Sequence, residues 1–353
     1  MFQKAAPIWL SQGCRLTILT TGKSTGSFAK ALQESGYQII HSRLDRIPSP
    51  RQIIYYAKHI VELNPDIVHF NAEAHGPLHT LPALLCGAKI FRTVHSSFKF
   101  VGQLRIRRLI SRRFSRLLGC RFIAISNAVC LNEEFRFQNP SIVCSNWFDD
   151  LHFRPPSLAE RATARAMLKI PSGQFAVVSI GNSSDVKNYT SIISSLAICQ
   201  NQSVHYYQVG AQDPTGAESR LAKKIGVSAR VHMVGHSADV RSWLWSADAF
   251  IMPSIYEGFG LAAAEALSCA TPCILSNIPG FDDFKQAGAV AQWIDPTPAE
   301  IAKKIDMLSD PNNLISDLIQ SSQNIRKQFS LDNGCRRYLN AWRTSRASTH
   351  KPS

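Results

Sequence analysis

The sequence predicts an α/β protein built from two doubly wound, parallel-sheet domains that face each other across a central cleft. Three observations carry this. At 353 residues the chain exceeds what one hydrophobic core ordinarily organises and fits two domains of about 150–180 residues. Short apolar runs rich in Ile, Val and Phe alternate with stretches long enough for helices, the pattern of strands covered on both faces by crossover helices. The alternation breaks once, at the proline-bearing linker "NWFDDLHFRPPS" (146–157), and then begins again. The expected boundaries are 1–150 for the first domain, 151–330 for the second, and 331–353 for a terminal helix and disordered tail.

In the first half, "RLTILTT" (15–21), "YQIIHS" (37–42), "DIVHF" (66–70), "KIFRTVH" (89–95), "RFIAIS" (121–126) and "SIVCSN" (141–146) are short, β-branched or aromatic, and bounded by turn residues, and so predict strands. In the second half "FAVVSIG" (175–181), "VHYYQVG" (204–210), "RVHMVG" (230–235), "AFIMPS" (249–254) and "PCILSN" (272–277) do the same, with "AVAQWID" (289–295) as a sixth. Segments 297–309, 312–328 and 333–346 carry helical patterning, the last placed to pack back on the first domain. The tail "SRASTHKPS" is polar and is expected to be disordered.

Hydrophobic residues make up 45% of the chain and charged ones 18%, the balance of a soluble globular protein. No stretch approaches the roughly 18 consecutive apolar residues of a spanning helix, and the first residues lack a signal-peptide pattern. A cytoplasmic location is therefore expected. Nine cysteines without a C-x-x-C pair predict reduced, mostly buried thiols. The net charge of +14 is concentrated: from Glu73 to Glu133 no acidic residue intervenes, while Lys89, Arg92, Lys99, Arg105, Arg107, Arg108, Arg112, Arg113, Arg116 and Arg121 fall in that interval.

Sheets of this kind bind ligands at the carboxyl ends of their strands, so the chemistry is sought in the loops there. "PSIYEGFGLAAAEAL" joins a strand to a helix: Gly258 and Gly260 free the turn of side-chain bulk, and a helix starting near Leu261 aims free N–H groups and its positive dipole end at an anion. Glu265 lies on that helix behind three alanines, and a carboxylate suits a pair of sugar hydroxyls because it offers two acceptor oxygens. Spacing alone is equally compatible with a solvated Glu257 and an ordinary helical Glu265. Lys187, six residues beyond Gly181, is placed to meet a diphosphate as a point charge, and Asn182 is polar at the strand mouth; a lone loop lysine is also commonly just solvated. "TTGKSTGS" is not a phosphate loop, because the position five before Gly22 is Thr17 rather than glycine; Gly22 and Gly26 still permit close backbone approach. His95 ends a strand, where it can bond a substrate hydroxyl or serve structure. There is no Asp-x-Asp, H-E-x-x-H or paired-cysteine signature, so metal-free chemistry and no cofactor are expected.

Together these residues resemble glycosyltransferase family 4, retaining enzymes with the two-domain, Rossmann-like GT-B fold. The family's pattern is carried by Pro253, Ser254, Glu257, Gly258, Phe259, Gly260 and Glu265, with "RVHMVGHSADVRSWLWSADAFIMPS" before it and "TPCILSNIPGFDDF" after it; "TVHSSF", "FIAISNAV" and "NWFDDLHFRP" resemble the corresponding segments of the first domain and linker. The resemblance implies that Glu265 holds the ribose, that Glu257 with the backbone of Phe259 and Gly260 contacts the donor sugar, and that Lys187 neutralises the diphosphate. It further implies that His95 sits beside the sugar and that Gly235 and His236 border the base. Three departures stand out. Asn182 occupies the position of a usual arginine, "PGFD" (279–282) replaces a two-glycine stretch, and the linker reads "NWFD". The short first loop makes Gly22 the least secure of the implied contacts.

At helical spacing Ile106, Leu109, Ile110, Phe114, Leu117 and Leu118 share a face, with Arg105, Arg108, Arg112 and Arg116 opposite and Arg107 and Arg113 beside or on the apolar arc. This fits an interfacial helix on an anionic membrane surface, near residues 104–118, or a core-packed helix with a solvated basic back. No nucleic-acid module accompanies the charge, so no nucleic-acid partner is expected. The expected function is a metal-independent hexosyltransferase that moves a sugar from a nucleotide-sugar, UDP-linked, to a lipid-linked saccharide of a surface polysaccharide or lipopolysaccharide, at the inner face of the plasma membrane. A sugar-nucleotide epimerase on the same fold and a non-catalytic basic binding protein, the latter favoured by Asn182, are the alternatives.

Overall fold

The computed structural model describes all residues except 27, 46, 72–75, 99, 311–315 and 345–353, together with the Pro77 side chain; the expected disordered tail lies outside the described residues. The chain forms two compact units, one of Met1–Trp147 joined by the segment that begins at Leu331, the other Phe148–Ser330.

The first unit contains α1 (Phe2–Ser11), β1 (Thr17–Thr20), α2 (Ala29–Glu34), β2 (Gln38–His41), α3 (Pro50–Leu63), β3 (Ile67–Phe70), α4 (Gly76–Leu85), β4 (Lys89–Val94), α5 (Gly102–Leu117), β5 (Arg121–Ala124), α6 (Asn127–Phe137) and β6 (Ser141–Val143). All of its strand pairs are parallel, as strand–helix alternation requires. Among the described residues they divide into a four-stranded sheet, β3-β4-β5-β6, and a separate pair, β1-β2. Ser49 caps α3 in a reciprocal capping box with Gln52 and Pro50 occupies the first turn, which explains why the helix starts there.

The segment 146–157 carries the chain from the first unit to the second. Trp147 is buried in the first unit between Phe2, Trp9 and Tyr338, and Phe148 and Phe153 are buried in the second. Aromatic side chains outweigh the prolines there, because burying each ring removes a large apolar area from water. The helix Leu331–Arg343 completes this core with Cys335, Tyr338 and Leu339. Gly334 is required in it: a Cβ would stand 2.3 Å from the Trp147 ring. Helix α1, with Ala5, Ala6 and Trp9 in the same core, was not legible from the sequence, where Pro7 masks its periodicity.

Helix α5 departs from its expected faces. Arg112, predicted on the solvated basic side, is buried and donates twice to the buried Glu133 of α6, at 2.5 and 2.7 Å. Asn139 also donates to Glu133, at 2.7 Å, and the Arg112 guanidinium lies over the Phe137 ring. A charge leaves water only when paired and bonded in this way. With Arg112 and Ser115 turned inward, Ile106, Ile110, Phe114 and Leu117 are left exposed, Leu117 at 85%.

The second unit contains α7 (Leu158–Met167), β7 (Phe175–Ile180), α8 (Tyr189–Leu196), β8 (Val204–Val209), α9 (Ala217–Lys224), β9 (Val231–Gly235), α10 (Val240–Ser246), β10 (Ala249–Met252), α11 (Leu261–Ser268), β11 (Cys273–Ser276), α12 (Asp282–Gln286), β12 (Gln292–Ile294), α13 (Pro298–Ser309) and α14 (Leu318–Gln328); α15 (Leu331–Arg343) returns to the first unit. Its sheet is parallel throughout, ordered β12-β11-β10-β7-β8-β9. Val177, Ile192, Ile193, Val204, Tyr206, Ile251 and Ile274 fill the core on one face, and Ala176, Val178, Tyr207, Val209 and Trp243 that on the other. All nine cysteines are free, and burial pushes the thiols of Cys199 and Cys269 up to about 12. Among the described residues no helix is long and apolar enough to cross a membrane.

Candidate functional site

In the second unit the strand order fixes where a ligand can enter. From β7 the chain winds outward through β8 and β9, then returns to β10 on the other side of β7 and winds outward again through β11 and β12. Loops leaving the carboxyl ends of β7 and β10 therefore emerge side by side at the point of reversal, where sheets of this kind carry their ligand crevice. The first loop carries Gly181, Asn182 and Lys187, and the second carries Ser254, Glu257, Gly258, Phe259 and Gly260.

Backbone and side chains stitch the two loops together. Ile255 N–H donates to the Val186 carbonyl at 2.8 Å, and the Asn188 amide donates to the Pro253 carbonyl at 3.3 Å. Lys187 Nζ donates to Glu257 Oε1 at 2.6 Å, and Ser254 Oγ donates to the same oxygen at 2.9 Å. The ion pair is mostly shielded, with the lysine side chain 23% exposed and the glutamate 12%. A shielded pair is stronger than a surface one, because little water screens it.

Three glycines let the segments around these loops pack closely. Gly260 sits at φ +79°, and a Cβ there would fall 2.4 Å from the Phe281 ring; it leads directly into α11, whose first residue is the half-buried Leu261. Gly280 presses on the second loop, where a Cβ would meet the Glu257 carbonyl oxygen at 2.4 Å. Gly210 ends β8 against the Gly181 carbonyl at a distance that no side chain permits. Phe259 is buried against Phe284 and Phe329, which anchors its ring in the core, and Gly258 is half-buried beside it.

Glu265 lies one turn into α11, flanked by the fully buried Ala263, Ala264 and Ala266. Part of its surface is open, yet protein surrounds the carboxyl closely enough that burial pushes it up to about 8. Asn182 does not reach into solvent freely: its Oδ1 accepts from the Ala211 N–H at 3.0 Å. Gly235 closes β9 at φ +79° and its carbonyl accepts from Gly210 N–H at 2.8 Å, and the exposed His236 follows it.

The remaining two residues singled out from sequence belong to the first unit. His95 follows β4 and is exposed, its Nε2 3.2 Å from Asn71 Oδ1 on the loop after β3. Gly22 is exposed in the loop after β1. The structure thus gathers Lys187, Glu257, Gly258, Phe259 and Gly260 at one crevice, with Leu261 and Glu265 on the helix leaving it. Sequence reasoning missed Asn71 and Gly210; a glycine closing a strand in "YQVG" was the available signal for the latter.

Two family models match the chain: one described as "Glycosyl transferases group 1" over residues 160–325, the other as "Glycosyltransferase Family 4" over residues 9–132. The lipopolysaccharide core biosynthesis glycosyltransferase LpsE of Rhizobium meliloti is 28% identical over 171 residues, 48% of this chain and 50% of LpsE. A D-inositol 3-phosphate glycosyltransferase of Mycobacterium tuberculosis is 29% identical over 159 residues, 40% of this chain and 32% of its own. The chain thus spans half or less of the length of these relatives. Among solved structures, a glycosyltransferase from Rickettsia africae superposes with a TM-score of 0.82 at 19% identity, covering 96% of this chain and 93% of its own. HepE from Anabaena, solved with UDP and glucose, gives 0.80 at 17% identity, with 96% and 94% covered. WaaG, involved in lipopolysaccharide biosynthesis, gives 0.71 at 15% identity, with 98% and 95% covered. The two Rossmann-like units, the reversal crevice and these matches agree: the chain belongs to glycosyltransferase family 4 and has the GT-B fold.

Proposed function

We propose that the protein is a retaining hexosyltransferase that moves a sugar from a nucleotide-sugar, UDP-linked, to a lipid-linked saccharide in lipopolysaccharide or other surface polysaccharide assembly, without a metal ion. The observation that carries this reading is the Lys187–Glu257 pair at the reversal crevice. A diphosphate entering there competes with Glu257 for the Lys187 ammonium and gains the N–H groups of α11 as well. Glu257, released, faces the donor sugar. Glu265, held above the ordinary carboxylate range by burial, both donates to and accepts from the ribose hydroxyls while protonated. His95 is assigned to the sugar, and Gly235 and His236 to the base. In front-face transfer the departing phosphate takes the acceptor's proton, so the protein contributes positioning and charge stabilisation rather than a covalent nucleophile. HepE, solved with UDP and glucose, supports the donor class, and LpsE and WaaG, both named for lipopolysaccharide biosynthesis, support the pathway.

The acceptor side rests on α5. Its exposed Ile106, Ile110 and Leu117 stand beside exposed Arg105 and Arg107, a mixture suited to an anionic lipid surface. Such a surface is where a lipid-linked acceptor is presented.

The test is a panel of UDP-, GDP- and ADP-hexoses incubated with and without lipid-linked saccharide. Transfer only in the presence of acceptor is expected, and Lys187→Ala should lower turnover about 10²–10³-fold, the scale of one lost electrostatic stabiliser. Isomerised donor in the absence of acceptor would replace transfer with epimerisation, and equal activity of wild type and Glu257→Ala would remove Glu257 from the reaction.

A further inference from the structure

Behind the first crevice loop lies a buried polar cluster that the proposed chemistry does not use. Glu218, on α9, is 6% exposed. Its Oε1 accepts from Ser183 Oγ at 2.5 Å, and Ser183 N–H in turn donates to the Ala211 carbonyl at 2.8 Å. The other carboxyl oxygen, Oε2, is buried without a hydrogen-bond partner, as are Tyr189 Oη and Gln208 Oε1. Two of these side chains reach Gly181: the Gln208 amide donates to its carbonyl at 2.8 Å, and a Cβ on Gly181 would stand 2.9 Å from Tyr189 Oη and 3.6 Å from Lys187 Cε. The groups facing Glu218 are the Ser183 hydroxyl, the Asp213 carboxylate in the loop before α9, and the Tyr189 and Tyr206 phenols of α8 and β8. Among the described residues no cation pairs with it.

A carboxylate in this place is unfavourable twice over. It is buried, and it stands behind the loop assigned above to an anion. Burial and the Asp213 charge hold its carboxyl above the ordinary value against the Ser183 hydrogen bond. Once protonated at Oε1, Glu218 donates to Ser183 Oγ instead of accepting from it, and the serine's own proton becomes free to point elsewhere.

We propose that Glu218 is a positioning residue for the phosphate loop: as an anionic diphosphate seats, its carboxylate takes one proton from the solvent, and Ser183 turns its hydroxyl from Glu218 to a phosphate oxygen. No covalent bond other than that O–H forms. The inference rests on the reading of the 181–187 loop as a diphosphate site. It explains how the loop gains a donor where residue 182 is a neutral asparagine engaged with Ala211.

The test is titration calorimetry of UDP, GDP, ADP and uridine in buffers of different ionisation enthalpy, on wild type, Lys187→Ala, Ser183→Ala, Glu218→Ala and Glu218→Gln. Ser183→Ala and Glu218→Ala should each weaken the nucleoside diphosphate about 5–10-fold, with a double variant no weaker than either, because the two act as one unit. Nucleoside binding should not change. Glu218→Gln, already neutral and able to donate to Ser183, should retain the diphosphate and lose the proton uptake seen in wild type. The difference in proton uptake between wild type and Glu218→Gln isolates Glu218 from other titrating groups, and a purely structural role would leave it at zero. Diphosphate affinity insensitive to Ser183→Ala and Glu218→Ala, or proton uptake identical in wild type and Glu218→Gln, would overturn the inference while Lys187→Ala still weakened binding. No diphosphate binding by wild type, or none sensitive to Lys187→Ala, would instead overturn the reading of the loop itself.

Discussion

Two carboxylate–cation pairs in this molecule look alike on paper and behave as opposites. Arg112 and Glu133 are both almost fully buried, joined by two hydrogen bonds and completed by Asn139 and Phe137. Lys187 and Glu257 meet through one ammonium contact, are partly open, and sit on two loops rather than two helices. The first has no geometry left to change. In the second, on the function proposed above, a diphosphate oxygen would take the place of the glutamate oxygen on the same ammonium. A planar, forked guanidinium suits the fixed pair, and a compact ammonium on a flexible stem suits the exchangeable one. An ion pair is therefore informative about function through what else its members can bond, not through its distance.

The comparison breaks most readily at the buried pair. Glu133→Ala strands the Arg112 guanidinium without its partner and should cost about 3–5 kcal/mol of stability, read as a large drop in urea midpoint. Glu257→Ala leaves an ammonium that water still reaches and should cost less, about 1–2 kcal/mol, while abolishing most transfer. Equal destabilisation by both would erase the distinction. A subtler effect concerns Glu265, whose carboxyl is raised from 4.5 to about 8 by burial. The folded chain then holds more protons than the unfolded one between those values, so this group's contribution to stability falls as pH rises through the window and is level above it. Glu265→Gln should match wild type in Tm below pH 4.5 and exceed it increasingly toward pH 8; a constant difference across that range would show that Glu265 is not the titrating group. The smallest effect is at α5. Ile110→Asp should leave Tm nearly unchanged, since the side chain is 61% exposed, and should reduce sedimentation with anionic liposomes several-fold. Unchanged sedimentation would detach α5 from the membrane reading.

Much of this was legible in the sequence for identifiable reasons. Parallel strands buried on both faces announce themselves as short β-branched runs, and "EGFG" before an alanine-rich helix marks a turn that side chains would block, as Gly260 against Phe281 bears out. The faces of α5 were not legible. Helical periodicity sorts residues by hydrophobicity, and it has no means of knowing that Glu133, from another helix, offers Arg112 a buried partner. The burial of Trp147 within the linker was not legible for a related reason: prolines are local signals, whereas that burial depends on Trp9 and Tyr338, far away in sequence. The Ser183–Glu218 pair joins a loop to a helix 35 positions on, and no spacing rule anticipates it.

The return of α15 to the core around Trp147 also has a practical corollary for exchanging parts among relatives. The segment Phe148–Ser330 is an insert within the first unit, not a tail to it. A swap of second units needs two seams, at 147/148 and 330/331, because a chimera joined at a single seam would supply a foreign α15 to Trp9 and Trp147. The foreign helix would need a glycine at the position of Gly334, where any larger residue collides with the Trp147 indole.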